Sequence, residues 1–78
     1  MNKQLWMIVD KLRNQGATIE DEEAESVYRF CIRKIEILGI KDKDIYMPTL
    51  YESEIRHALF RRTINAITIV KKIEMEMV

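Results

Sequence analysis

Apolar residues recur at helical spacing over three stretches of this chain, separated by glycine and proline. Leu5, Ile8, Val9 and Leu12 share one face, and Gly16 follows where a helix end needs a left-handed residue. A first helix is predicted over about 2–14. Ala24, Val27, Tyr28, Cys31, Ile35 and Leu38 form the clearest stripe, stopped by Gly39, with Ile40 placed to fold back on the last turn. Thr18 and Asp21 offer an N-terminal cap, and Glu20 to Glu23 would sit at the positive end of the helix dipole. The second helix is predicted over 19–38. Its acidic start lacks the glycine turn of a calcium loop, so it reads as helix chemistry, not as a cation site.

Lys41 to Pro48 shows no sustained period and reads as a loop with at most one short turn. Pro48 disfavours helical geometry at Met47, while Thr49 and Glu52 make a second capping pattern. Helix 3 is therefore predicted over about 50–72, with Ile55, Leu59, Ala66, Val70 and Ile73 at the centre of its apolar face. Two features compete with that reading. Residues 64–70 are rich in β-branched side chains, and Ile73 to Val78 alternates apolar with acidic in the manner of a strand. A strand would need a partner that the rest of the chain does not offer. The expected fold is a single all-α domain over residues 1–78, a small three-helix unit with a long C-terminal helix.

The apolar faces of helices 2 and 3 are wider than such a unit needs. Phe30 and Ile37 extend the helix 2 arc to about 200°, and Ala58 with Ile69 on one edge and Phe60 with Ile67 on the other do the same for helix 3. An outer helix of a monomeric bundle needs an arc of only about 100° or a little more. Two cations, Lys34 and Arg62, fall inside these arcs, where they either snorkel to water or mark a contact that supplies carboxylates. The pattern predicts completion by oligomerisation, a homodimer first, or by another protein. The candidate interface is Phe30, Lys34, Ile37, Phe60, Arg62 and Ile69. Tyr46, Tyr51 and Trp6 read as residues that close a small core, and Met75 and Met77 as adaptable contacts near the C-terminus.

Composition narrows the function classes. Lys and Arg number 13, Asp and Glu 13, so no net positive field draws nucleic acid or an anionic membrane. An alternative remains in the polar face of helix 3, where His57, Arg61 and Lys72 form a mildly basic stripe suited to a small nucleic-acid-binding regulator, although Glu54 lies on the same side. Cys31 and His57 are each the only one of their kind, which gives no metal set and no activated nucleophile within one chain. Neither glycine belongs to a phosphate loop. No enzyme, cofactor, metal or small-molecule ligand is expected. Every apolar run breaks well short of the roughly 20 residues of a membrane span, no secretory signal is apparent, and a lone cysteine suits a reducing cytoplasm.

Overall fold

The computed structural model describes residues 1–76. Within them the chain forms three helices, α1 (Lys3–Asn14), α2 (Asp21–Leu38) and α3 (Lys43–Glu76). Met77, and with it the end of the alternating tail, lies outside the described residues.

Asn2 caps α1, its Oδ1 accepting the Leu5 N–H at 3.0 Å. Both predicted glycine ends form in the same way. Gly16 (φ 101°) and Gly39 (φ 67°) adopt positive φ, and the residues after them donate back into the last turn, Ala17 to the Leu12 carbonyl and Ile40 to the Ile35 carbonyl. Ile40 packs against the core, whereas Leu38, expected in the stripe, is exposed. The fold-back has put Ile40 where Leu38 was expected.

α2 begins at Asp21, two residues later than predicted, and Thr18 does not cap it: the residue before the helix is Glu20, which makes no side-chain cap. Arg13 organises this junction instead. Its guanidinium donates to the Ile19 carbonyl at 3.0 and 2.6 Å and to Asp21 Oδ1 at 2.8 Å, which fixes the α1–α2 connection and lets Ile19 bury.

The largest correction concerns α3, which starts at Lys43, not near residue 50, and runs through Pro48. The Asp42 carbonyl accepts the Ile45 and Tyr46 amides at 3.2 and 3.1 Å and so nucleates the first turn. Pro48 is the sixth residue of the helix, so it forfeits one backbone bond. Against that loss the added turns bury Met47 and carry the face on through Leu50, Tyr51 and Ile55. The Thr49–Glu52 capping pattern consequently lies inside the helix, and Glu52 serves Arg56 (3.0 Å) and Lys11 (3.6 Å) instead, which hold its carboxyl below the ordinary range.

The core draws Leu5, Val9 and Leu12 from α1, Ala24, Cys31 and Ile35 from α2, and the α3 face just named. Tyr51 is fully buried, and its hydroxyl donates to the Ala24 carbonyl at 2.9 Å. Among the described residues no buried side-chain polar atom lacks a partner. No helix of the structure is long and apolar enough to cross a membrane.

Candidate interaction surface

Helix lengths decide what α3 can bury. At about 1.5 Å per residue its 34 residues reach about 50 Å, whereas the 18 residues of α2 reach about 27 Å and the 12 of α1 about 18 Å. The molecule is correspondingly elongated, 55 × 29 × 17 Å. Neither short helix can cover the far half of the long one. All residues from Arg61 to Glu76 are exposed, and they form a helical arm that leaves the bundle.

The arm is not polar. Ala66, Val70 and Ile73, predicted at the centre of the core-facing stripe, are exposed, with Val70 at 54% and Ile73 at 50%. Ile64, Ile67 and Ile69 are exposed alongside them. A shallow groove of about 350 Å³ runs along Ala66, Ile67, Val70, Lys71 and Glu74. Thr63 and Thr68 donate their hydroxyls back to the Leu59 and Ile64 carbonyls at 3.1 and 2.9 Å, which internalises their polarity along the arm.

Where the arm leaves the bundle, Arg62 clamps it. One guanidinium nitrogen donates to the Thr18 carbonyl at 3.0 Å and the other to Glu23 Oε1 at 2.6 Å. Lys34 is likewise held within the chain, by Glu54 Oε1 at 2.9 Å, a bond that raises the pKa of its ammonium. The carboxylates expected from an interface are thus supplied by the chain itself. Both cations tie α2 to α3.

The remaining candidate residues fall on three surfaces, because Ile69 and Phe60, nine residues apart on α3, project from opposite sides of that helix. Ile69 (59% exposed) and Phe60 (63%) lie on α3 at or beyond the bundle edge, while Phe30 (52%) and Ile37 (78%) are exposed on α2. Phe30 lines an open groove of about 180 Å³ with Ser26, Val27, Glu54, His57, Ala58 and Arg61. The groove therefore unites one interface candidate with two nucleic-acid candidates, His57 and Arg61. Lys72, the third, is exposed farther along the arm.

Comparison with known protein families, curated proteins and solved structures returned no match.

His57 and Glu54 share that groove, the pairing a composite acid–base site would require. Glu54 is already engaged by Lys34, and the groove is open. Burial and the nearby Glu54 push the Cys31 thiol up to about 11, so it stays protonated and unreactive at neutral pH. Among the described residues no group of three His, Cys, Asp or Glu is arranged to hold a metal ion. A second depression of about 260 Å³, lined by residues that include Tyr28, Glu36, Lys43, Asp44 and Met47, mixes charges of both signs with apolar side chains.

The wheel pattern found the breadth of apolar surface but assigned its centre to the core. Predicted lengths could not reveal the arm, since 20 residues of helix 2 nearly match 23 of helix 3; the mismatch comes from the continuation of α3 to 34 residues, through Pro48 at one end and to Glu76 at the other.

Proposed function

We propose that this chain is a non-enzymatic assembly module that self-associates through the arm of α3. The observation that carries the proposal is an arm exposed along its whole length that still displays Ile64, Ile67, Ile69, Val70 and Ile73. Contiguous apolar surface of this kind marks a contact site, and self-association is its simplest occupant. The arm propagates from the bundle with no neighbouring helix packed on it, and its β-branched composition lowers its helix propensity. A partner would supply what the bundle does not.

Magnitudes set the expected strength. Burying the half-exposed remainder of four such side chains on each of two arms yields roughly 6–12 kcal/mol. Association costs about 4–15 kcal/mol in lost freedom. At its most favourable that balance leaves about 8 kcal/mol, so a contact no tighter than micromolar is expected. The α2 flank of Phe30 and Ile37 stands apart from the arm and forms no part of the proposed contact.

Nucleic-acid binding has less support. The arm's polar strip presents Arg61 and Lys72 over about 16 Å, too few cations for phosphate neutralisation to carry affinity.

Sedimentation equilibrium tests the proposal. The wild-type chain should populate a dimer at micromolar concentration, and Ile73→Asp should be monomeric with the emission of Trp6, which packs in the bundle, unchanged. A wild-type monomer at high micromolar concentration would overturn it, as would salt-dependent binding of DNA or RNA by a monomer.

A further inference from the structure

We infer that the occupant of the arm is a second copy lying antiparallel to it, with its tip seated on the shoulder where the arm leaves the bundle. This rests on the self-association reading and specifies its geometry.

The spacing of one line on α3 carries the first step. Ile55, Leu59, Arg62, Ala66, Ile69 and Ile73 follow one another at alternating intervals of four and three residues, the repeat of a coiled-coil seam. Ile55 is fully buried, Leu59 packs against the core, and Arg62 is clamped to α2. Ala66, Ile69 and Ile73 continue the line with nothing over them. The bare seam is thus an extension of the packing that already joins α3 to the bundle.

Direction follows from where the bundle lies. α2 packs on the seam side of α3, and Arg62 on the seam reaches Glu23 there. Two parallel arms joined seam to seam would place both bundles at the same level on the same side, where they collide. Antiparallel arms place the bundles at opposite ends. The partner's arm then fills the space beyond the end of α2, in line with the bundle.

Side-chain size agrees. In an antiparallel seam Ala66 faces the partner's Ile69, small against large, and Arg62 faces the partner's Ile73. A parallel pair would set alanine on alanine in one layer and isoleucine on isoleucine in the next. Interdigitation favours the former.

The tip has a place to land. Gly16, Ala17, Thr18, Leu59, Arg62 and Thr63 line a depression of about 320 Å³ at the shoulder. In the antiparallel register the partner's Glu76 comes down opposite Leu59, beside the Arg62 guanidinium.

Disulfide trapping tests the geometry, with Cys31 left in place because it is buried. Under mild oxidation with oxidised glutathione, a mixture of Ala66→Cys and Ile69→Cys chains should accumulate a mixed disulfide-linked dimer. Ile73→Cys alone should remain unlinked, because antiparallel pairing holds the two positions about 16 Å apart. Rapid self-linking of Ile73→Cys would overturn the antiparallel arrangement, and so would a dimer by sedimentation that none of these variants traps. A wild-type monomer by sedimentation would instead overturn self-association itself.

Discussion

The Tyr51 hydroxyl donates to the Ala24 carbonyl at 2.9 Å inside the core, so the residue that anchors α3 is bonded to the first buried residue of α2. Tyr51 is fully buried and among the largest core side chains, and burial raises the pKa of its phenol well above the usual range. Tyr51→Phe keeps the ring and removes the bond. It should lower stability by about 1 kcal/mol, since the Ala24 carbonyl lies within α2 and keeps a helical acceptor role. A fall in thermal midpoint of about 4–8 °C is expected for a domain of this size. An unchanged midpoint would show that the bond contributes nothing net.

Alkaline pH should weaken the fold earlier than its tyrosines alone would. The Cys31 thiol moves from 9.0 to about 11 on folding, chiefly through burial. Above about pH 9 the unfolded chain loses this proton while the folded chain retains it, so stability falls as pH rises until the folded thiol also ionises. The full effect is of order 2–3 kcal/mol. Cys31→Ala should flatten the decline between pH 9 and 11 in urea titrations, and an identical slope in both proteins would refute the assignment.

The chain announced its helices at the glycines and concealed them at the proline. Gly16 and Gly39 end helices through local bonds, which sequence displays directly. Pro48 was misleading because its local penalty is visible while the compensating burial of Met47 and Tyr51 is a tertiary effect. The width of the apolar arcs was legible for the same reason as the glycines. Which part of the arc would be covered was not, since periodicity is blind to where neighbouring helices end, and neither Glu23 nor Glu54 could be matched to Arg62 or Lys34 across sequence separations of 39 and 20 residues.

Pro48→Ala should stabilise the bundle. The substitution restores an amide that can reach the Asp44 carbonyl and removes the ring's conflict with the preceding turn, against a modest loss of half-buried contact. A gain of about 1 kcal/mol or more is expected from thermal or urea unfolding. A lower midpoint would mean that the ring's packing outweighs the backbone bond.

Arm helicity should depend on concentration, whereas bundle integrity should not. Trp6, the one tryptophan, packs against the core, so its emission reports the bundle. Far-UV circular dichroism counts the arm as well. Dilution from high to low micromolar should reduce helical ellipticity while leaving tryptophan emission constant. Signals that stay constant together would show an arm that is helical without a partner.

Because α3 passes from core to arm without a break, the azimuth of the arm's apolar line is locked to the bundle by residue count alone. One residue inserted between Leu59 and Ala66 would swing that line by about 100° and advance it about 1.5 Å, with every side chain of the arm retained. Seven inserted residues would nearly restore the phase and move the line outward by about two turns. The orientation of whatever the arm holds is thus set by arithmetic along the helix, as teeth on a shaft are timed to its key.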